Sequence, residues 1–257
     1  MSAISEDRLS AEVIGSTSIM AGLIDGADLT RPVPTCPAWT LRQLTTHVGR
    51  AHRWATAIVA MRSDHPIPFR DAPDGKLPED PRQHADWLRG GAAGLVEAVR
   101  DARDAPVWTH QGVGPARYWM RRMAHETSVH RADAQLTFGL RPQIDPLTAA
   151  DGIAEWAGFL AAPGAGDQRQ PLTGLEGRVL HIHATDDGLD GAGEWLIRPG
   201  ADGVSVTPGH GKGDVAVRGP ASDLLLVLMR RLPPSDPAVD VLGQAALLEA
   251  LLAATAF

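Results

Sequence analysis

Cysteine, positive charge and long hydrophobic runs are all scarce in this 257-residue chain. Its single cysteine, Cys36, excludes an internal disulfide and a cysteine-rich metal site, and it is typical of a reducing compartment. The longest purely apolar run, residues 224–229, is far shorter than the roughly 18 residues that a membrane-spanning helix needs. The first eight residues are polar and acidic, without the basic and apolar regions of an export signal. We therefore expect a cytoplasmic protein with no membrane partner.

The charge balance excludes another class of partner. Twenty-four Lys and Arg residues against 31 Asp and Glu residues give a net charge of −7. Only the pairs Arg121–Arg122 and Arg230–Arg231 stand out as basic, and they are too small to form the positive face that nucleic acid requires. The chain is therefore expected to act on a small molecule, as a monomer, without binding nucleic acid.

Four long helices are predicted in the first half of the chain. Thr40 and Gln43 match a capping box, in which a hydroxyl and an amide satisfy backbone N–H groups, so one helix should start at Leu41. Asp80 and Pro81 supply an N-cap and a first-turn proline for the next. The proline-rich segment 65–79 between these helices is predicted to be a long loop. The predicted helices span residues 6–23, 41–61, 81–103 and 115–138.

The second half of the chain has a different character. A helix over residues 145–160 is followed by a Gly- and Pro-rich stretch, 163–177, that marks a boundary. Short alternating segments then predict strands at 179–184, 194–198, 204–207 and 214–217, and helices follow at 221–231 and 243–254. The glycine-rich residues 209–213 lack the spacing of a phosphate loop and are predicted to form a turn between strands. The expected fold is α+β, with a helical bundle over residues 1–162 and a small α+β domain over 163–257.

Glu126 and His130 are the most informative pair. Four residues apart on a helix, they lie about 40° apart around the axis, on the stripe that also carries Trp119 and Met123. An unpaired buried carboxylate costs several kcal/mol, so something must compensate for it there. A hydrogen-bonded pair would do so, and so would a divalent metal ion.

A zinc site needs a third donor, and the predicted second helix offers two. His47 and His52 lie about 70° to either side of its apolar stripe, so periodicity does not choose between them. The string at residues 125–130 has one residue too many for the zincin motif H-E-x-x-H, and its two histidines lie about 140° apart. A metalloprotease is therefore excluded, and His125 is expected off the core face, at the surface.

Two strings resemble a known family. PTCPAWTLRQLTTHV at residues 34–48 and RRMAHETSVHRADA at 121–134 are similar to the mycothiol-dependent maleylpyruvate isomerases, which are related to DinB-like four-helix bundles. The resemblance implies a DinB-like bundle with a small C-terminal domain, and a metal, zinc by preference, held by His47, Glu126 and His130. His52 is then the second choice for the first of these. Nickel, iron and manganese stay open, since nitrogen and oxygen donors suit several metals.

The resemblance also implies a catalytic arginine and a thiol cofactor. Counted from Gly219, the arginine position is Arg231, which would bind a substrate carboxylate or polar groups of the thiol; its neighbour Arg230 is the alternative. Cys36 is predicted to be a packed residue, so a diffusible thiol, mycothiol, would be held as thiolate by the metal. Its addition to a conjugated double bond would permit rotation and cis–trans isomerisation.

The same metal centre is compatible with other functions. If the thiol adduct is retained, the enzyme is a mycothiol S-transferase acting on an electrophile or a biosynthetic intermediate. If the metal activates water, it is a hydrolase. A function of another class is a non-catalytic metal-binding or regulatory module. The sequence favours a zinc-dependent, mycothiol-using isomerase or transferase and does not name its substrate.

Overall fold

A computed structural model describes residues 4–162, 175–189, 191–200 and 203–255. The chain forms two compact units, one comprising Ile4–Pro142 and the other beginning at Gln143. The sequence-based boundary at residues 162 and 163 therefore falls inside the second unit. Most of the Gly- and Pro-rich stretch that suggested it, residues 163–174, lies outside the described residues. None of the described helices is long and apolar enough to span a membrane.

The N-terminal unit contains the four helices predicted from the sequence. Helix α2 packs against α3 and α4, and α1 packs against the same two helices. The capping box at the start of α2 is present, because Thr40 accepts from the Gln43 backbone while the Gln43 side chain bonds back to residue 40. The helices are α1 (Glu6–Ile24), α2 (Leu41–Ala60), α3 (His84–Ala102) and α4 (Arg117–Thr137).

Two antiparallel hairpins occupy segments between the helices, where the sequence predicted no strands. They are β1 (Pro32–Val33) with β2 (Cys36–Thr40), and β3 (Pro106–Thr109) with β4 (Gly112–Pro115). Proline suits such short edge strands, where its missing N–H costs no ladder bond. Because β2 runs directly into α2, the backbone fixes Trp39 at the entrance of that helix.

The apolar core of this unit consists of two clusters along the bundle. One contains Trp119, Met123 and Ala124 of α4, and the other contains Ala134 near the end of the same helix. The stretch of α4 between them is buried but polar, and it includes Thr127, Ser128, His130 and Asp133. Buried polar groups require hydrogen-bond partners, so this break in the apolar core is where a functional site is to be sought.

The C-terminal unit is built on a five-stranded sheet with strand order β7-β6-β5-β8-β9. Strand β5 pairs in parallel with β8, and the other pairs are antiparallel. The last strand, β9, was not predicted from the sequence. The elements are α5 (Pro146–Ala161), β5 (Leu180–Ala184), β6 (Glu194–Gly200), β7 (Gly203–Pro208), β8 (Val215–Gly219), α6 (Ala221–Leu228), β9 (Asp240–Gly243) and α7 (Ala245–Ala254). The described residues thus form the expected α+β fold.

Candidate metal centre

His47, Glu126 and His130 converge on one point between α2 and α4. The Nε2 atom of His47 lies 2.9 Å from Oε1 of Glu126, and Nε2 of His130 lies 3.2 Å from the same oxygen. The two imidazole rings meet edge to face, with centroids 4.8 Å apart. Two helices thus bring together the three residues that the family resemblance had singled out.

These three side chains are largely shielded from solvent but not sealed. The side chains of His47 and Glu126 are each 25% exposed, whereas that of His130 is 11% exposed. The ring centroid of Trp39 lies 4.8 Å from that of His47. The ring centroid of Phe69, which follows α2 in the chain, lies 5.5 Å from that of His47. The centre is therefore lined by aromatic rings and keeps access to solvent, as a site that receives a ligand must.

Asp133 holds the far side of His130. Its Oδ2 atom lies 2.7 Å from Nδ1 of His130, and the carboxylate is fully buried. The hydroxyl of Thr35 donates to its other oxygen, and Sγ of Cys36 lies 3.7 Å from Oδ2. A carboxylate accepts from Nδ1–H, so Nε2 of His130 is the nitrogen left facing Glu126. Sequence reasoning gave Asp133 no role, although its position three residues after His130 places both on one face of α4.

The electrostatics of the centre favour an ionised carboxylate. Burial acts to raise the pKa of Glu126, but hydrogen bonds from His130 and His47 outweigh it, and Arg122 adds its charge, so the pKa is held well below its ordinary value. Burial likewise acts to lower the pKa of His130, but hydrogen bonds to Asp133 and Glu126 raise it to about 9. Nη2 of Arg122, one helical turn earlier, lies 2.9 Å from Oε2 of Glu126.

The donor set fits a divalent ion. Ligand atoms about 2.0–2.2 Å from a tetrahedral zinc lie about 3.3–3.6 Å from one another, and Oε1 of Glu126 lies 2.9 and 3.2 Å from the two histidine nitrogens. The three ligand atoms all lie within 4.8 Å of one another. Two imidazole nitrogens and one carboxylate oxygen are a common ligand set for catalytic zinc, which keeps its fourth position open. Because an ion would replace the proton between His130 and Glu126, its uptake would be coupled to proton release.

His52, the alternative third donor, is placed elsewhere. Its Nε2 atom bonds to the hydroxyl of Thr127 at 2.8 Å, and its ring is completely buried. Burial is the main cause that lowers the pKa of His52 to about 4, so the imidazole is neutral at physiological pH. The geometry therefore gives His52 a packing role next to the centre and leaves His47 as the histidine that faces Glu126.

Two models of one protein family match this chain. The family model "Mycothiol maleylpyruvate isomerase N-terminal domain" matches residues 13–135, and "MDMPI C-terminal domain" matches residues 148–250. The chain belongs to the mycothiol maleylpyruvate isomerase family. Together the two models account for most of both units, which confirms the resemblance drawn from the two sequence strings.

Solved structures of mycothiol-dependent maleylpyruvate isomerases share the fold of this family member. One crystal structure of such an isomerase shares 18% sequence identity with this chain and has a TM-score of 0.57. The crystal structure of a histidine-to-alanine mutant isomerase shares 14% sequence identity with this chain and has a TM-score of 0.56. Each alignment covers 93% of both chains. No curated protein matches the chain. At such identities the structural likeness establishes the α+β fold, and the chemistry must be argued from the site itself.

The arginine that the family resemblance singled out lies in the C-terminal unit. Helix α6 ends at Leu228, earlier than predicted, so Arg231 lies in the turn that follows, where its Nη1 donates to the Met229 carbonyl at 2.7 Å. Arg231 is half-buried, whereas Arg230 is exposed. Both arginines line a shallow groove of about 490 Å³ together with Pro233, Glu249 and Leu252. Of the two, Arg231 is the one held in place by the backbone around it.

His125 departs from its expected position. The sequence placed it at the surface, but it is only 4% exposed, so that prediction was wrong. Helix α4 contacts α1, α2, α3 and β1, and burial extends around most of its circumference rather than along one stripe. A helix at the centre of a bundle has no wholly solvated face, and periodicity alone underestimates its burial.

Proposed function

We propose that the chain is a zinc-dependent enzyme that uses mycothiol to isomerise a cis double bond, as its family name describes. The observation that carries this proposal is the convergence of His47, Glu126 and His130 on one partly open point. These three residues would hold the zinc ion. Bound there, zinc would supply Lewis-acid chemistry, stabilising the thiolate form of a thiol at neutral pH.

The surrounding residues prepare the centre for this role. Asp133 accepts from Nδ1 of His130, which leaves Nε2 directed toward Glu126, and Arg122 donates to the second oxygen of Glu126. His130 and Glu126 are thereby fixed in orientation before any ion arrives, which reduces the cost of ordering the site. Trp39 and Phe69 present apolar surface beside His47, so part of the water around a bound substrate would be excluded.

Arg231 would bind the carboxylate of the substrate or polar groups of the thiol. Its planar guanidinium can donate two parallel hydrogen bonds to one carboxylate, which a lysine cannot do. The nucleophile must come from outside the chain. The single thiol, Cys36, lies beside Asp133, on the side of His130 that faces away from Glu126.

Glu126→Gln is the variant that tests the proposal. It keeps the shape of the side chain and removes its charge. We therefore expect zinc content to fall, and the rate of mycothiol-dependent isomerisation of maleylpyruvate to fall a hundredfold or more. The circular dichroism spectrum should be unchanged. His65→Ala, which alters an exposed histidine paired with Asp64, is the matched control and should retain both.

The thiol arm of the same experiment separates the alternatives. Turnover that requires added mycothiol and regenerates it supports the isomerase. A stable thioether formed from mycothiol and an electrophile would identify a mycothiol S-transferase instead. Full activity of the Glu126→Gln variant, or isomerisation at the same rate without mycothiol, would overturn the proposal. Zinc that is lost on Glu126→Gln, in a native protein that shows neither activity, would favour a metal-binding module.

A further inference from the structure

A second convergence of ligand-type side chains lies on the sheet of the C-terminal unit. It comprises His181 and His183 of β5, Glu194 of β6 and His210 after β7. Oε2 of Glu194 lies 2.8 Å from Nε2 of His181, 2.7 Å from Nδ1 of His210 and 3.7 Å from Nδ1 of His183. One ligand atom from each of the four residues lies within 4.8 Å of the others.

The strand register brings three of these residues to one face of the sheet. His181 and His183 are two residues apart on β5, so their side chains point to the same side. His183 is directly opposite Glu194 in the antiparallel pair of β5 and β6, which places the carboxylate on that side too. The other face carries the apolar residues Leu180 and Ile182, which are fully buried.

The glycine-rich turn after β7 adds the fourth residue. The backbone N–H of Gly209 bonds to the Glu194 carbonyl at 2.9 Å, which anchors the turn at the start of β6. A Cβ atom at Gly211 would lie 2.7 Å from a Leu196 side-chain carbon, and one at Gly213 would lie 3.1 Å from Cβ of His181. These glycines therefore let the turn lie directly on the histidine-bearing face, and His210 between them reaches Glu194.

The arrangement exceeds what the carboxylate requires for hydrogen bonding. Glu194 already accepts from His181 and His210, and the His183 contact at 3.7 Å is too long for a hydrogen bond. Three imidazoles around one carboxylate oxygen are instead a donor set for a first-row divalent ion. Imidazole and carboxylate are both ligands that suit zinc.

We propose that His181, His183, Glu194 and His210 form a second divalent metal site, of the zinc class, which fastens the 209–213 turn to strands β5 and β6. Four protein ligands leave no open position, so the site is structural rather than catalytic. It shares no residue with the centre formed by His47, Glu126 and His130, and it belongs to the other unit of the chain. The proposal is therefore independent of the proposed function.

Metal stoichiometry tests the proposal. Tag-free full-length protein is stripped with a chelator, reloaded with Zn²⁺, freed of excess metal and assayed by elemental analysis. We expect about two ions per chain in the native protein and about one in the His210→Ala variant. Because His210 is exposed, this substitution should leave the fold intact, as circular dichroism would show. His65→Ala is the matched exposed-histidine control and should retain both ions.

A second pair of variants separates the two sites. His47→Ala should retain one ion, and the double variant His47→Ala/His210→Ala should retain none. Reloaded with Co²⁺, the His47→Ala protein should show the intense visible absorption of tetrahedral cobalt, and the double variant should lose it. A native protein whose zinc content is unaffected by His210→Ala would overturn the second site, whatever the outcome at His47. A His47→Ala protein that binds no metal after reloading would also overturn it.

Discussion

Nδ1 of His130 and Oδ2 of Asp133 lie 2.7 Å apart on α4, and the carboxylate is completely buried. A buried carboxylate without charged partners would be strongly destabilising, and here the imidazole of His130 supplies the partner. The same contact fixes which nitrogen of His130 faces Glu126. A residue outside the proposed ligand set thus determines how one of the ligands is presented.

Replacement of Asp133 by Asn should weaken zinc binding without removing a ligand. The amide has the same shape but no charge, so His130 loses its ionic acceptor. We expect a 10- to 100-fold loss of zinc affinity, the range typical of such supporting carboxylates, measured by competition with a chromogenic chelator. Asp86→Asn, at an exposed carboxylate paired with Arg89, is the control. Unchanged affinity in the Asp133 variant would refute a positioning role.

His52 should make the folded state sensitive to acid. Its pKa is about 4 in the folded protein against an ordinary value of 6.5. Between these two pH values the unfolded chain binds a proton at His52 and the folded protein does not. The stability contributed by neutral His52 is complete above about pH 6.5 and is lost as the pH falls toward 4, at up to about 1.4 kcal/mol per pH unit.

Urea unfolding of the His52→Gln variant, at several pH values between about 7 and about 4.5, checks this prediction. Glutamine can still bond Thr127 but does not titrate, so its free energy of unfolding should fall less steeply with acid than that of the native protein. His65→Gln, at an exposed histidine, is the matched control for the substitution. Parallel slopes for the native protein and the His52 variant would contradict the prediction.

Arg231→Lys should impair substrate or thiol binding. Lysine keeps the charge but loses the two-pronged geometry, and a charge-assisted hydrogen bond is worth about 1.5–3 kcal/mol. We expect KM for the carboxylate substrate or for mycothiol to rise about tenfold or more, in steady-state kinetics in which each is varied in turn. Arg230→Lys, at the exposed neighbour, should change KM less than twofold. Equal effects at both positions would argue against a specific role for Arg231.

Gly49 and Gly90 should respond to alanine with opposite signs. A Cβ atom at Gly49 of α2 would penetrate the ring of Trp87, which is held by an Nε1 bond to the Asp74 carbonyl and by Arg53 over its face. Overpacking of this kind costs about 1–3 kcal/mol. At Gly90, an exposed position of α3, nothing lies within 4 Å, and alanine should stabilise the helix by about 0.5–1 kcal/mol.

Thermal unfolding of the two alanine variants would show the difference directly. The melting temperature should fall for Gly49→Ala and rise for Gly90→Ala. A fall of similar size in both would mean that the close packing of α2 on α3 is not what requires glycine at position 49.

Local sequence patterns determined much of this protein. The Thr40–Gln43 capping box fixed the start of α2, and the four-residue spacing of Glu126 and His130 placed both on one face of α4. Such features depend on contacts within about one helical turn, so the sequence carries them without reference to the rest of the chain. The hairpins were missed because their short strands contain prolines and glycines, which are also the residues of loops.

Only the tertiary structure decided which distant residues meet. His47 and His52 are equivalent in the periodicity of α2. The rotation and axial offset of α2 against α4 bring His47 to Glu126 and His52 to Thr127. In the same way, the pairing of β5 with β6 brings His183 opposite Glu194, and the turn at 209–213 adds His210. Long-range register is set by packing of the whole unit, and no local pattern along the chain encodes it.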